Sequence, residues 1–337
     1  MLYNDPIYGP VSIQEPVLLD LMESQVMRRL QGVLQSGITA VLGINAPTTR
    51  FEHSVGVMLL VRRLGASLEE QIAALLHDAS HTAFSHVIDY VLNGHKSQGY
   101  HEEVKEAYLA ASDIPAILAR HGYKIWRTFL QEQNFPLLEQ PAPALCADRL
   151  DYFFRDSQSL GLASSTDVAG ALQHTVSFNG RIVVDDLETA RWMAATYMAA
   201  DEASWANFRE VGLYELTARA IRTALQAGYL SEQDFWLTDV DLWEKLQSFQ
   251  LPAIQEQVRL ISPQTRFEWD PASPTFQVST KLRTIDPDVL IDDNLLPLSQ
   301  VDPAFEKRRS GYLASKSGMW PVRVIDPMGT EELLSKH

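Results

Sequence analysis

The sequence contains very little cysteine, no long apolar run and no basic leader. Only one of its 337 residues is a cysteine, Cys146, which excludes an intramolecular disulfide framework and suits a reducing compartment. The first residues show no basic region followed by an apolar stretch, so we expect no secretory signal. No apolar run approaches the length of a membrane span. We therefore expect a cytoplasmic protein without a membrane partner.

Positive charge is also scarce. The chain has 28 lysines and arginines against 43 aspartates and glutamates, which gives a formal net charge of −15 at pH 7. A field of this sign repels nucleic acids and anionic membranes unless a local basic patch overrides it. We therefore expect a small-molecule partner and no nucleic-acid partner.

Helix-forming sequence dominates residues 1–250. Strong helix formers follow Ser67 without a breaker, and Ser67 with Glu70 forms a capping-box pattern. One interruption lies at about residues 175–184, where two short β-type runs surround an Asn-Gly pair. This pattern predicts an inserted β-hairpin.

The composition changes after residue 251. Nine of the 17 prolines lie there, and the helical periodicity fades. Residues 276–285 and 320–325 have the pattern of strands. We predict a mainly α protein with a helical body over residues 1–250 and a small α+β lobe over residues 251–337.

Histidines are concentrated in one part of the sequence, with six of the nine between His53 and His101. His77 and Asp78 are adjacent at the end of a predicted helix, where both can turn towards one ion. Imidazole nitrogens and carboxylate oxygens are the ligands that borderline divalent metals bind. His53, on a helix of its own, and a carboxylate within residues 147–152 are candidates for the other ligands.

An isolated histidine is more often a cap or a surface group than a metal ligand. The presence of His81 and His86 shortly after His77 and Asp78 favours a functional site here. Four other histidines are interpreted as structural or surface residues: His95, His121, His174 and His337.

Three strings carry the candidate residues: Arg50-Phe-Glu-His-Ser-Val-Gly-Val57, Leu76-His-Asp-x-x-His-x-x-Phe-Ser-His86 and Asp148-Arg-x-Asp-Tyr-Phe-x-Arg-Asp156. They resemble the HD superfamily of metal-dependent phosphohydrolases. They are most similar to the branch of deoxynucleoside triphosphate triphosphohydrolases, which includes the SAM- and HD-domain nucleotide hydrolase and its bacterial relatives. Residues 4–9 and 281–288 also resemble that branch, so the likeness spans about residues 4–325.

The resemblance implies an HD-type helical fold and three sets of site residues. The implied metal ligands are His53, His77, Asp78 and Asp148. The implied substrate contacts are Arg50, Arg149, Tyr152 and Asp156. The implied catalytic residues are His81, His86, Asp89 and His101. The resemblance also implies a divalent transition metal (iron, manganese, zinc or nickel), a second ion such as magnesium, and a homo-oligomer, either dimer or tetramer.

The chemistry of phosphoester hydrolysis agrees with these residue types. A bound metal lowers the pKa of its water from 15.7 towards about 7, and arginines stabilise the charge of a phosphoryl group. His86 and Asp89 are three residues apart, so on a helix they share a face and can form a proton-donating pair. We expect hydrolysis of deoxynucleoside triphosphates to deoxynucleoside and tripolyphosphate by a metal-bound hydroxide.

The sequence departs from that branch beside the metal motif. Ser80 and Thr82-Ala83 stand where relatives commonly carry Gly and Gly-Pro, and we expect the added side chains to narrow the approach to the metal. One alternative is a phosphomonoesterase or phosphodiesterase that acts on a nucleoside monophosphate or cyclic nucleotide at the same site. Another is a nucleotide-sensing binding module with an inactive HD site, although the complete ligand set argues against it.

Overall fold

The computed structural model describes residues 1–92 and 98–326, and this part of the chain is mainly helical, as predicted. Its α-helices are Pro16–Met22 (α1), Gln25–Leu30 (α2), Gly37–Val41 (α3), Arg50–Arg63 (α4), Leu68–Leu76 (α5), Val87–Val91 (α6), Tyr100–Ala110 (α7), Ile114–Arg120 (α8), Ala147–Ser159 (α9), Ser165–His174 (α10), Leu187–Ala200 (α11), Phe208–Gln226 (α12), Asp239–Ser248 (α13), Pro252–Leu260 (α14), Leu298–Val301 (α15) and Pro303–Lys316 (α16). A π-helical turn over Asp201–Trp205 continues α11.

Short strands form three small sheets beside the helices. The strands are Leu2–Asp5 (β1), Gly9–Ser12 (β2), Thr175–Phe178 (β3), Arg181–Val184 (β4), Arg266–Trp269 (β5), Phe276–Val278 (β6), Asp288–Ile291 (β7), Asn294–Pro297 (β8) and Trp320–Ile325 (β9). Their orders are β1-β2, β3-β4-β7-β8 and β5-β9-β6. The predicted inserted hairpin is β3-β4, and its turn residues Asn179 and Gly180 have φ values of 49° and 72°, as such a tight turn requires.

The four-stranded sheet contains strands from both sides of residue 251. Val184 of β4 pairs with Val289 of β7 in the parallel direction. The predicted domain boundary stays a prediction, and residues 327–337 of the predicted lobe lie outside the described residues.

The predicted strand over residues 276–285 is shorter in the structure. β6 ends at Val278, and the chain then runs without regular structure to β7. Lys281 and Arg283 in this segment line the cavity described below and do not belong to a strand. The predicted strand over residues 320–325 is confirmed as β9.

Two helices bring the motif residues together. α4 begins with a capping box, in which Thr49 Oγ1 accepts from the Glu52 N–H at 3.0 Å and the Glu52 carboxylate accepts from the Thr49 N–H at 2.8 Å. α5 packs against α4 and ends at Leu76, so His77 and Asp78 follow directly after its last turn.

Only half of the predicted capping box at α5 is present. Ser67 Oγ accepts from the Glu70 N–H at 3.2 Å, as predicted. The Glu70 carboxylate does not bond back to the cap; it accepts from the N–H groups of Leu137 at 2.7 Å and Leu138 at 3.3 Å. This carboxylate therefore ties α5 to the loop before α9.

Apolar side chains form two cores. The first joins α1, α2, α4, α5, α9 and α11, and the second joins α12 to α6, α13, α14, β6 and β9. Leu76 from the first core and Val211 from the second line the same cavity. No helix in the described ranges combines the length and the apolar character needed to cross a membrane.

Candidate active site

The four implied metal ligands meet where the start of α4, the end of α5 and the start of α9 converge. His53 Nε2 lies 2.9 Å from Asp148 Oδ1 and 3.6 Å from Asp78 Oδ2. His77 Nε2 lies 3.3 Å from His53 Nε2, and 3.5 Å from a carboxylate oxygen of both Asp78 and Asp148. The ligand atoms of His53, His77 and Asp78 thus lie within 4.8 Å of one another, and Asp148 contacts both imidazoles of this group.

The other ring nitrogens show how both imidazoles are oriented. His77 Nδ1 lies 2.7 Å from the Ala74 carbonyl, which can only accept, so Nδ1 carries the proton. His53 Nδ1 lies 2.8 Å from Asp151 Oδ2, which assigns the proton to Nδ1 in the same way. Both Nε2 atoms then face carboxylates, an arrangement that is favourable when either a second proton or a metal cation lies between nitrogen and oxygen. This donor set fits a divalent metal.

Asp148 and Asp151, the two carboxylates within residues 147–152, lie on opposite sides of His53. Asp148 faces Nε2 at 2.9 Å, and Asp151 faces Nδ1 at 2.8 Å. Only Asp148 is on the side where the other three candidate ligands converge. Asp151 instead orients the His53 ring from behind.

Carboxylates dominate the electrostatics of this group. Burial opposes a charge on His53, but hydrogen bonds with Asp148 and Asp151 outweigh it and raise its pKa to about 9. Burial likewise opposes a charge on His77, whose pKa is nevertheless raised by Asp78 and Asp148. The group therefore attracts positive charge.

The other three candidate histidines form a row beyond Asp78. His81 and His101 stack with their ring centroids 4.0 Å apart, and the ring of His86 lies edge-on to both at 5.1 and 5.7 Å. His81 Nε2 is 3.2 Å from Asp78 Oδ1. His86 Nδ1 is 3.1 Å from Asp89 Oδ2, so this predicted pair is present in the structure.

This row has electrostatics opposite to those of the ligand group. Burial lowers the pKa values of His81 and His86 well below the ordinary value, and the positive charge of Arg50 lowers them further. Both shifts favour the neutral imidazole, although each ring has a carboxylate neighbour, Asp78 for His81 and Asp89 for His86. The proton-donating role of the His86 and Asp89 pair stays a prediction.

Both arginines expected to contact substrate line the cavity, but each is partly engaged by the protein. Arg50 donates to Asp78 Oδ2 at 2.6 Å and to Ser85 Oγ at 3.0 Å. Arg149 donates to the backbone carbonyls of Ala144 and Gln140. These bonds fix both guanidinium groups in place and occupy some of their donors.

One cavity of about 330 Å³ joins these groups to an aromatic end. Tyr152, Tyr197 and Trp205 line that end, and the Tyr152 and Tyr197 hydroxyls share a hydrogen bond. Trp205 Nε1 donates to Asp156 Oδ2 at 2.7 Å. Loss of hydration raises the pKa of Asp156 to about 6. Tyr152 and Asp156 are thus both at the cavity, as predicted.

The predicted lobe after residue 250 supplies two cationic side chains that sequence reasoning did not assign to the site. Lys281 and Arg283 line the cavity. Arg283 donates to Gln98 Oε1 and to the Lys281 carbonyl, and no carboxylate of the described residues forms an ion pair with it. The only signal for them was the resemblance of residues 281–288 to the family's tail.

The expected narrowing beside the metal motif is absent. Ser80 Oγ donates to the His101 carbonyl at 2.8 Å, and Thr82 Oγ1 contacts the Ser85 carbonyl at 3.5 Å. Both side chains are buried by these backbone contacts, and neither they nor Ala83 line the cavity.

Two of the remaining histidines lie in pairs outside the site. His121 contacts Asp20 and His174 contacts Asp185, each at 2.8 Å, in agreement with their interpretation as structural or surface residues. His95 and His337 lie outside the described residues.

Comparison with known proteins agrees with this geometry. Residues 50–156, which include all four candidate ligands, match the HD domain family. The chain is 39% identical over 328 residues to the metal-dependent phosphohydrolase cns2 of Cordyceps militaris, covering 94% of this chain and 93% of that protein. This chain belongs to the HD-domain metal-dependent phosphohydrolases.

This HD phosphohydrolase also has more distant relatives. The deoxynucleoside triphosphate triphosphohydrolase SAMHD1 of Danio rerio is 25% identical over 216 residues, which cover 49% of this chain and 35% of that protein. The crystal structure of a phosphohydrolase from Bacteroides thetaiotaomicron has a TM-score of 0.70 at 17% identity, covering 90% of this chain and 94% of that one. The predicted superfamily and the mainly α fold are therefore confirmed, with triphosphohydrolases among the relatives.

Proposed function

We propose that this HD phosphohydrolase hydrolyses nucleotides, and that it splits deoxynucleoside triphosphates into deoxynucleoside and tripolyphosphate. One observation carries the proposal: a single cavity joins three of the four candidate metal ligands, the histidine row and basic side chains to an aromatic end. Its volume of about 330 Å³ is at the lower limit of ligand pockets, which measure roughly 300–1,000 Å³. A ligand with an anionic end and a ring system matches this lining.

His53, His77, Asp78 and Asp148 would hold the metal. The expected ion is iron, manganese, zinc or nickel, and magnesium is expected as a second ion on the substrate phosphates. When bound, the metal supplies Lewis acidity and an acidified water near neutral pH. The protein contributes the fixed tautomers of both imidazoles, which keep the two Nε2 atoms available as ligands.

Basic side chains would orient the phosphates. Arg50 lies against the ligand group through Asp78, while Arg149, Lys281 and Arg283 line the same cavity. Arginine matches phosphate oxygens with paired donors, and an anion among these cations relieves their mutual repulsion. In a protein with a net charge of −15, this grouping of four basic side chains favours an anionic substrate.

His86 would deliver a proton to the leaving oxygen. Its Nδ1 is taken by Asp89 at 3.1 Å, which leaves Nε2 for the substrate. Burial lowers the pKa of His86, and a phosphate anion in the cavity would oppose this shift by favouring the charged imidazolium. His81 and His101, stacked beside it, would stabilise the charge on the phosphoryl oxygens.

The aromatic end would hold the nucleoside. Tyr152 and Trp205 are perpendicular, with ring centroids 5.1 Å apart, and offer apolar surface to a sugar or a base. Asp156, fixed by Trp205 at 2.7 Å, would accept a hydrogen bond from a sugar hydroxyl. The 3′-hydroxyl of a deoxyribose is the expected donor.

A phosphomonoesterase or phosphodiesterase acting on nucleoside monophosphates or cyclic nucleotides is the second candidate. The observation in its favour is that Arg50 and Arg149 already donate to protein acceptors, which leaves fewer donors for three phosphates. A nucleotide-sensing module that has lost its activity would be expected to have lost a ligand as well, whereas all four candidate ligands are present.

A product assay distinguishes these candidates. Protein supplied with manganese, iron or magnesium is incubated with dNTPs, NTPs, nucleoside monophosphates and cyclic nucleotides, and Asp78→Ala is assayed in parallel. Tripolyphosphate and deoxynucleoside from the wild type alone are expected. Activity on monoesters or cyclic diesters alone would favour the second candidate, and an inert panel at full metal occupancy would favour sensing. Light scattering on the same samples tests the predicted homo-oligomer.

A further inference from the structure

The N-terminal hairpin places a single buried side chain beneath the candidate metal site. Asp5 at the end of β1 is 2% exposed and is the only buried residue among residues 1–12. An isolated two-stranded hairpin is at best marginally stable in water, so its position depends on contacts with the body. Asp5 Oδ1 also accepts from the Ile7 and Tyr8 N–H groups at 2.8 and 3.2 Å, which fixes the turn.

Asp5 is the outer end of a chain of contacts that reaches His53. Arg155 Nη2 donates to Asp5 Oδ2 at 2.8 Å, and Arg155 Nε donates to Asp151 Oδ2 at 2.7 Å. Asp151 Oδ2 in turn accepts from His53 Nδ1 at 2.8 Å. Tyr8, from the same turn as Asp5, donates to the other Asp151 oxygen at 2.9 Å. The hairpin therefore holds Asp151 both directly and through Arg155.

A glycine on α4 provides separate evidence that this contact is close. Gly56 is one turn after His53, and a Cβ built on it would lie 2.1 Å from both Arg155 Nη2 and Asp151 Oδ1. Any other residue at position 56 would displace these two side chains. α4 thus supplies His53 and also leaves the space in which its orienting partners lie.

Stability alone does not explain such an arrangement. The side chains of Asp5 and Asp151 are completely buried, and that of Arg155 is 4% exposed. Buried ion pairs are weak sources of stability because desolvation offsets much of their attraction. They do fix geometry, and partners behind a metal-binding histidine orient the ring and set its tautomer.

We propose that Asp5 and Tyr8 are positioning residues of the metal site. They hold Asp151 against His53 Nδ1, so that His53 Nε2 stays directed at the metal. The N-terminal hairpin is then an outer layer of that site. This inference rests on the proposed function only for the role of His53 as a ligand.

The test is Mn²⁺ affinity, measured on the full chain by competition with a chelator. Asp151→Asn keeps an acceptor but removes the charge. It is expected to weaken Mn²⁺ binding by about 10–100-fold, as does loss of a residue that hydrogen-bonds to a metal ligand. Asp5→Asn is expected to weaken Mn²⁺ binding by about tenfold, at the low end of that range, and Tyr8→Phe is expected to weaken it somewhat less. Thermal unfolding in the presence of chelator reports separately whether each variant is folded.

Glu15→Gln is the matched control. Glu15 pairs with Arg62 at 2.7 Å, so it also joins the N-terminal segment to α4, but without contact to the chain that reaches His53. Its Mn²⁺ affinity is expected to equal that of the wild type. If the affinities of Asp5→Asn and Tyr8→Phe also equal that of the wild type, the hairpin is merely structural and the inference is overturned.

This outcome is distinguishable from failure of the proposed function. Weaker Mn²⁺ binding by Asp5→Asn in a protein whose nucleotide panel is inert would support the inference and contradict the function. If the enzyme is active and all variants bind Mn²⁺ as tightly as the wild type, the proposed function is supported and the inference is contradicted. A wild type that binds no Mn²⁺ would overturn both.

Discussion

Five histidines of the candidate site fall into two groups with opposite electrostatics. His53 and His77 face carboxylates, which raise their pKa values despite burial. Burial lowers the pKa values of His81 and His86, the positive charge of Arg50 lowers them further, and His101 is stacked on His81. Histidines thus lie both in a region that favours positive charge and in a region that disfavours it.

Asp78 divides the two groups. Its Oδ1 lies 3.5 Å from His77 Nε2 and 3.2 Å from His81 Nε2, while its Oδ2 accepts from Arg50 at 2.6 Å. One carboxylate thus faces the proposed metal on one side and the cationic part of the cavity on the other. In phosphoester hydrolysis, this separation would place the nucleophile and the leaving group in different electrostatic surroundings.

The largest expected effect comes from removing a member of the ligand group. His77→Ala should lose bound metal and lower activity by at least about 100-fold. Mutation of a residue that only hydrogen-bonds to a ligand already lowers metal affinity or activity by about 10–100-fold. Metal content by mass spectrometry and the rate of product formation measure both losses. His121→Ala, at the Asp20 pair, is the control, and full metal occupancy in His77→Ala would contradict the ligand assignment.

Removing a member of the row should separate chemistry from metal binding. His86→Ala is expected to keep the metal and to lower kcat by about 10²–10⁴-fold, the usual contribution of a general acid. The same two measurements apply. Loss of metal from this variant would show that the two groups are not functionally distinct.

The pH dependence of stability should differ between the groups. In chelator, the His53 pKa of about 9 exceeds its ordinary 6.5, so its stabilising contribution is complete below pH 6.5 and is lost as the pH rises through 9. The loss is expected to be on the order of 3 kcal/mol in the free energy of unfolding. His81 and His86, with lowered pKa values, should instead cost stability as the pH falls below 6.5.

Denaturant unfolding of wild type and His53→Gln at several pH values measures this difference. The variant should show a smaller alkaline loss, because only His77 of this group still contributes, while keeping the acidic one. A wild-type stability that stays constant between pH 6.5 and 9 would show that the carboxylates do not hold a proton on His53.

The smallest expected effect concerns the orientation of His86. Asp89→Asn should lower kcat by about tenfold, because the imidazole loses the charged partner at Nδ1 that supports its protonated form. The variant His86→Ala/Asp89→Asn should be no slower than His86→Ala alone. Additive losses in that double variant would assign Asp89 a role independent of His86.

Local sequence patterns predicted the parts that depend on neighbours in the chain. The β3-β4 turn, the Ser67 cap and the position of His77 at the end of α5 all follow from residues a few positions apart. The candidate ligands could be named because their motifs are compact strings that resemble a known superfamily. Their roles remain to be tested by the variants above.

Contacts across long sequence separations could not be predicted in this way. Asp5 reaches Arg155 across 150 residues, and Arg283 reaches Gln98 across 185. Such pairs arise only when packing brings distant elements together, and no periodicity records them. The missing half of the predicted capping box at α5 also results from a long-range contact. The Glu70 carboxylate accepts from the Leu137 N–H in the loop before α9 instead of from the cap of its own helix.

The parallel pairing of β4 with β7 limits how this chain can be shortened. A chain ending at residue 250 would lack β7 and would leave one edge of β4 unpaired. Unpaired edges are templates for association with other chains, so such a fragment is expected to aggregate. It would also lack Lys281 and Arg283. The proline-rich tail is therefore expected to be inherited, exchanged or lost only together with the helical body.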